Sequence, residues 1–268
     1  MPDNNSFNRL IKARNGFLLY NKNDMYIGKS IEKYGEFSQL EAKLFEQICK
    51  DGDVVFEVGA NIGTHTVTLA KLVGEGFVIA FEPQRLVFQS LCANLAINSI
   101  SNVYAYQEAI SDENGSILIP ECDFTKNNNF GGINIENTKN GTTVNKQKLD
   151  NFLNKINRLK LLKIDVEGME ISVIKGASEL IKKFRPMIYV ENDRQEHSKE
   201  LIELLWSLDY KMYWHLPKLY NENNFFNDKE NIFGNIVSVN MFCIHKDSNI
   251  KILDMTEVLD SSFHPMKR

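Results

Sequence analysis

The chain has 268 residues, 43% apolar and 25% charged, with a formal net charge of −4. That is enough apolar material for the core of one α/β domain with insertions, and the charge gives no reason to expect nucleic acid as the main partner. The four cysteines (Cys49, Cys92, Cys122, Cys243) form no Cys-x-x-Cys pair, the first residues are polar and no apolar run reaches membrane-span length, which predicts a soluble, reducing, cytoplasmic protein with free thiols and no membrane span.

In chain order, Phe17 to Ile27 is apolar but split by Asn21-Lys22-Asn23-Asp24, which predicts a hairpin added to the core sheet. Ser38-x-x-Glu41 reads as a capping box, and Leu40, Leu44 and Ile48 share one helical face. Gly52 follows where that helix should stop. Val54-Val55-Phe56 then reads as a strand buried on both faces, and Val67, Ala70 and Leu72 as a helix. Between them run Glu57-Val-Gly59-Ala60-Asn61-Ile-Gly63. Strand, glycine turn and helix make the nucleotide-binding corner of a doubly wound α/β sheet.

The turn discriminates between cofactors. A dinucleotide fingerprint needs Gly-x-Gly-x-x-Gly so that backbone N–H groups approach a pyrophosphate. Glu57 here would repel a pyrophosphate and suits a ligand that is cationic nearby. S-adenosylmethionine fits, with Gly59 and Gly63 clearing room and the backbone of Ala60 and Asn61 between them. Phe77 to Phe81 reads as a second buried strand ending in Glu82, where an acid holds ribose hydroxyls. Glu57 alone would read as a solvated strand-end charge; Gly59, Gly63 and Glu82 in register argue otherwise.

Further on, Val103 to Tyr106 is a third strand, and Glu108-Ala109 at its end would border the cleft near an adenine. Ser116 to Ile119 is a short added strand, followed by an Asn/Gly-rich stretch from Asn127 to Gly141, read as a lid or a disordered segment. Leu149-Asp150-x-x-Leu153 begins a helix; Leu159 to Ile164 is a strand ending in Asp165-Val-Glu167-Gly168-Met-Glu170; Met187 to Val190 ends in Glu191-Asn192-Asp193. Lys211 to Leu216 and Val239 to His245 form a closing antiparallel pair. Between them Tyr220, Phe225, Phe226 and Phe233 are interleaved with Asn and Asp, either to stack on a sugar or to pin the loop. The last twenty or so residues read as a weakly ordered tail or helix.

Glu57-Val-Gly-Ala-Asn-Ile-Gly63, Phe81-Glu82-Pro83, Leu162-Lys163-Ile164-Asp165-Val166-Glu167-Gly168-Met169-Glu170, Lys175-Gly176-Ala177, Pro186 and Glu191 together resemble the FkbM family of S-adenosylmethionine-dependent methyltransferases. The resemblance covers roughly residues 51–194. It implies a class I methyltransferase (Rossmann-like) fold with a seven-stranded, mostly parallel sheet, an antiparallel last strand and helices on both faces. It also implies O-methylation, often of a sugar or polyketide hydroxyl. The expected organisation is a single domain with its core over 51–246, an N-terminal hairpin and helix in 1–50, and a tail from 247.

A hydroxyl nucleophile must lose its proton to a base or a metal. Asp165, Glu167 and Glu191 sit at adjacent strand ends and are the candidate bases; His65 is a further possibility, and Glu170 and Lys163 have structural readings. Asp165 with Glu191-Asn192 could alternatively hold Mg²⁺, the pattern of catechol-type O-methyltransferases. The expected acceptor is a small-molecule or glycan hydroxyl. Two rivals stand beside this reading: a nucleotide-dependent oxidoreductase on the same fold, and a non-catalytic Rossmann-like ligand-binding protein.

Overall fold

The computed structural model describes residues 6–133, 138 and 140–267. The N-terminal elements are β1 (Asn8–Ala13), β2 (Gly16–Asn21), α1 (Ile27–Tyr34) and α2 (Gln39–Ile48). The centre is β3 (Val54–Val58), α3 (Thr64–Val73), β4 (Phe77–Phe81), α4 (Arg85–Ile97), β5 (Val103–Tyr106), β6 (Ala109–Ile110), β7 (Gly115–Ile119), β8 (Thr142–Gln147) and β9 (Leu161–Ile164). The rest is α5 (Glu170–Lys175), α6 (Ser178–Phe184), β10 (Met187–Glu191), α7 (Gln195–Ser207), β11 (Tyr210–His215), β12 (Asn240–His245) and β13 (Thr256–Glu257). One sheet runs in the order β13-β11-β12-β10-β9-β3-β4-β5, and β6-β8-β7 form a smaller sheet beside it. The strands from β10 to β5 are parallel, while β12 is antiparallel to both β10 and β11. This is the expected mostly parallel sheet with an antiparallel late strand, extended by the two-residue edge strand β13.

The strand alternation explains both cores. Val54, Phe56 and Val58 pack with Leu162, Ile164 and Ile188 on one face, beneath α5, α6 and α7 residues. Val55 packs with Leu161 and Tyr189 on the other, beneath α2, α3 and α4 residues. Side chains alternate with period two. Glu57 and Lys163 therefore share the second face, directly paired across β3 and β9, with Tyr189 the next residue along.

Several local readings change where a distant partner wins. The N-terminal hairpin is β1–β2, a separate two-stranded sheet, and not Phe17 to Ile27. The Asn21–Asp24 cluster instead launches α1: Asp24 Oδ1 accepts from the N–H groups of Tyr26 and Gly28. Ser38 makes no cap with its side chain; its Oγ donates to Glu41 Oε1 at 2.7 Å. Helix α2 already ends at Ile48 with an extended Cys49, so Gly52 belongs to the turn before β3. The segment at Leu149–Phe152 is a single 3-10 turn. The C-terminal tail is tied down, through β13 on β11 and through buried His264, whose Nε2 is 2.8 Å from the Asn192 carbonyl oxygen.

The Asn/Gly-rich stretch lies partly outside the described residues, at 134–137 and 139. Its described start is packed: Phe130 is buried and stacked on Phe124 at 4.4 Å, and Gln84 Nε2 donates to the Phe130 carbonyl. In the 217–238 loop, Phe233 is buried and, with Tyr220, surrounds Tyr34 of α1, whose hydroxyl donates to the Glu230 carbonyl. Phe225 and Phe226 lie over Gly35. These aromatics pin the loop to the N-terminal helix. No helix among the described residues is long and apolar enough to cross a membrane.

Candidate active site

A cleft of about 1330 Å³, open to solvent, lies at the C-terminal edge of the parallel strands, with an adjoining pocket of about 470 Å³. That edge is where α/β sheets bind ligands. Gly59, Glu82, Gly131, Asp165 and Glu167 line both spaces.

The glycine turn is held by the sheet itself. The N–H groups of Gly59 and Ala60 both donate to the Phe81 carbonyl at 2.9 Å. Gly59 has φ +82°, and a Cβ there would lie 1.7 Å from the Asp165 carbonyl oxygen. Gly59→Ala is therefore expected to cost about 2–4 kcal/mol through strain and overpacking. A thermal melt unchanged from the parent would contradict this packing.

Glu82 is 3% exposed. Its Oε2 accepts from Asn61 N–H at 3.0 Å and its Oε1 from Gln84 N–H at 2.8 Å. Burial nevertheless pushes its carboxyl up to about 7. Glu108 and Ala109 line the adjoining pocket with Ile110, Val166 and Met169, and Glu108 accepts from Gln147 Nε2. The pocket is thus apolar, with acids at its rim.

Glu57 is not a solvated charge. It is 1% exposed, accepts from Thr66 Oγ1 at 2.6 Å, and its Oε1 lies 3.9 Å from Lys163 Nζ. Burial raises its carboxyl and Lys163 opposes that rise. Lys163, 2% exposed, also reaches Asp165 Oδ2 at 3.2 Å. Burial works against its ammonium form, but Asp165, Glu57 and Glu41 outweigh it and hold it above its ordinary range. A central lysine thus balances acids from three elements.

Asp165, Glu167 and Glu191 do converge, each offering an oxygen within 4.8 Å of the others. Glu167 sits at φ +56°, a strained left-handed position, and accepts from Arg194 Nη2 at 2.7 Å. Burial, with Asp165 and Asp193 nearby, pushes its carboxyl up to about 8. Glu191 is pushed well above the ordinary range by burial and then by Asp165 and Glu167. Its Oε2 is buried without a hydrogen-bond partner among the described residues. Glu170 turns back on its own loop, accepting from the N–H groups of Val166 and Gly168.

The metal set Asp165, Glu191 and Asn192 is not assembled as expected. Asn192 is buried away from the cleft, its amide on Ser198 Oγ at 3.0 Å and on Met241 Sδ. Side-chain alternation at the end of β10 turns it to the opposite face from Glu191. Lys163 and Arg194 already supply positive charge to Asp165 and Glu167. Asn192 therefore drops out of the set, and the carboxylates that do come together are Asp165, Glu167 and Glu191, the first two already meeting a protein cation.

Three residues at the cleft were not legible as site residues. Glu41, 5% exposed on α2, takes Ser38 Oγ and Asn240 Nδ2 on Oε1, and its Oε2 lies 3.3 Å from His65 Nε2. Burial alone would raise it, but His65 and Lys163 pull it down to about 2. Arg194 and Asn240 are the others. The sequence signal for Glu41 was ambiguous: an acid three residues after Ser38 reads first as a cap.

Comparison with known proteins places this geometry. Residues 57–212 match the methyltransferase FkbM domain. The chain is 25% identical over 149 residues to "Methyltransferase 1" of Beauveria bassiana, covering 48% of this chain and 60% of that protein. It is 24% identical over 185 residues to the hexuronic acid methyltransferase AglP of Haloferax volcanii, covering 68% and 73%. The solved precorrin-6y C5,15-methyltransferase of Geobacter metallireducens shares the fold at a TM-score of 0.51 and 11% identity, over 77% of this chain and 89% of that one. The match takes in the glycine turn, Glu82 and the acids of β9 and β10, over more than half the chain, so this protein belongs to the FkbM methyltransferase family.

Proposed function

We propose that this protein is an S-adenosylmethionine-dependent O-methyltransferase, acting as a single domain on a hydroxyl of a sugar, glycan or other small metabolite. The observation that carries the reading is the continuity of two spaces: an apolar pocket rimmed by Glu82 and Glu108 opens directly into an acid-lined cleft at Asp165 and Glu167. The hexuronic acid relative favours a sugar acceptor.

The residues present fit the cofactor. Glu82 has two backbone anchors and unused lone pairs for ribose hydroxyls, Glu108, Ala109 and Ile110 offer an adenine-sized apolar wall, and Glu57 and Asp165 supply negative charge beside Gly59. When bound, S-adenosylmethionine supplies an electrophilic methyl group on a sulfonium. The chain's own residues orient the acceptor, exclude water and accept its proton. Among Asp165, Glu167 and Glu191, the first is held by Lys163 and the second by Arg194, which leaves Glu191 Oε2 as the free proton acceptor. Like charges that disfavour full ionisation raise such an acid toward the working pH of a general base.

Calorimetry should show micromolar-scale binding of S-adenosylmethionine and of its demethylated product, with no comparable binding of NAD. Incubation with a panel of hydroxyl-bearing glycans should release the demethylated product. NAD binding without S-adenosylmethionine binding would transfer the site to the oxidoreductase reading; cofactor binding with no turnover on any acceptor would favour a binding protein.

A further inference from the structure

Three side-chain atoms are buried without a hydrogen-bond partner among the described residues: Glu191 Oε2, Arg194 Nε and Trp214 Nε1. Trp214 is a core residue packed against Phe263 and His264 of the C-terminal tail. The other two stand three residues apart in the chain, and both residues line the cleft. Glu191 has a role in the reaction proposed above. Arg194 Nε has none.

The guanidinium is held in place from two sides. Arg194 immediately precedes α7, and its carbonyl accepts from the N–H groups of His197 and Ser198, each at 3.0 Å. Its Nη2 donates to Glu167 Oε2 at 2.7 Å. Asp193 Oδ1 lies 3.4 Å from Nε, near enough for an ion pair, yet the two make no hydrogen bond. Guanidinium N–H groups point along fixed directions, so a carboxylate can balance the charge without taking every donor. Glu167 and Asp193 thus answer the charge of Arg194 and leave one N–H over. A buried donor on a charged group is costly to leave unmade.

The two orphaned atoms at the cleft need opposite partners. Glu191 Oε2 takes a proton, whereas Arg194 Nε–H needs a lone pair. A single hydroxyl would serve both, but a cationic donor on the reacting oxygen would draw off the electron pair that attacks the methyl group. The lone pair given to Arg194 therefore belongs to a second oxygen.

We propose that Arg194 is a specificity-determining contact: its Nε–H binds a second oxygen of the acceptor, near the hydroxyl that Glu191 deprotonates, so that the site reads a polyoxygenated ring and not a lone alcohol. This rests on the methyltransferase reading and adds to it the residue that recognises the acceptor and the group it recognises. A ring hydroxyl and a ring carboxylate both supply such an oxygen.

The test uses the full chain loaded with the demethylated cofactor product. Ligand-observed NMR would measure methyl pyranosides, their monodeoxy counterparts and the matching hexuronates against the parent and Arg194→Lys. Lysine keeps the positive charge beside Glu167 and Asp193 and removes the Nε donor. At least one sugar should bind the parent, and one counterpart lacking a single oxygen group should bind roughly 10- to 100-fold more weakly, the worth of one hydrogen bond to a charged group. Arg194→Lys should weaken the full sugar by a similar factor and leave that counterpart unchanged, so that the two losses do not add. A deoxy sugar as the non-additive partner identifies a neutral hydroxyl; a hexose paired with its hexuronate identifies a carboxylate. With an accepted substrate, Arg194→Lys should raise KM more than it lowers kcat. Parent-like sugar affinity in folded Arg194→Lys, additive losses for every pair, or no sugar bound by the cofactor-loaded parent would each overturn the proposal and leave the methyltransferase reading in place. Weakened cofactor-product binding in Arg194→Lys would overturn it too, by assigning Nε to the cofactor. Failure of the parent to bind the cofactor product would reject the methyltransferase reading itself.

Discussion

Replacing Glu191 by Gln is expected to lower methyl-transfer turnover by roughly 10²–10⁴-fold, the range for loss of a general base. Cofactor affinity should stay within about threefold of the parent, because the substitution keeps shape and polarity and lies on the acceptor side. The expectation follows from the partners of the three acids. Asp165 is occupied by Lys163 and Glu167 by Arg194, while Glu191 Oε2 is buried and unpartnered. Asp165→Asn and Glu167→Gln should also reduce turnover, since both acids raise the Glu191 carboxyl and fix the cluster. Turnover should rise with pH as Glu191 ionises, and Glu191→Gln should remove that limb of the profile. A chelator should have no effect, given that Asn192 faces Ser198 and Met241 and two protein cations already meet the cluster. Loss of turnover in EDTA with recovery on adding Mg²⁺ would return these carboxylates to the role of metal ligands. Full activity in all three variants would move the proton acceptor elsewhere, with His65 the next group to examine.

The second large effect belongs to Glu82. Glu82→Ala should weaken S-adenosylmethionine by about 1.5–3 kcal/mol, roughly 10- to 150-fold, through loss of charge-assisted hydrogen bonds to the ribose. Its pH dependence has a definite sign. In the cofactor-free protein burial raises Glu82 from 4.5 to about 7. Ribose hydroxyls donate to the carboxylate form and favour it. Binding should therefore release a proton, and affinity should climb as pH rises through 7 and level off about one unit above. Glu82→Gln should bind with no such slope. For the free protein the same group acts in the opposite sense. A raised folded-state value means stability that is fully present below 4.5 and lost as pH rises through about 7, on the order of 3 kcal/mol for this group. Cofactor-free melts from pH 5 to 8 should fall, and should fall less in Glu82→Gln. Calorimetry showing equal cofactor affinity for parent and Glu82→Ala, or a parent affinity flat from pH 6 to 8, would remove Glu82 from the cofactor site.

Much of the fold and of the cofactor side was legible because it rests on short-range periodicity. Val54 to Leu72 is strand, glycine turn and helix from spacing alone, and the acids at positions 57, 82, 165 and 191 all fall at or just past strand ends. In a parallel sheet such residues come to one edge, so naming the strands nearly names the cleft. By the same logic Glu108 and Ala109, just past the third parallel strand, come to line the apolar pocket.

What the sequence determined by itself is therefore the family, the sheet and the identity of most acids at its edge. What only the tertiary structure decided is which partner each of those groups takes. Ser38 and Glu41 look like a helix cap until Asn240, 199 residues away, and His65 claim the carboxylate. Asn192 looks like a metal ligand until Ser198 and Met241 hold it on the opposite face. Lys163 reads as a strand lysine with a structural role, and strand register decides that the acids it meets are Glu57 and Asp165. The physical reason is common to all three. Secondary structure follows from spacing along the chain, whereas a buried polar group takes whichever partner the folded chain brings within about 3 Å, because leaving it unpaired costs more than any local alternative offers.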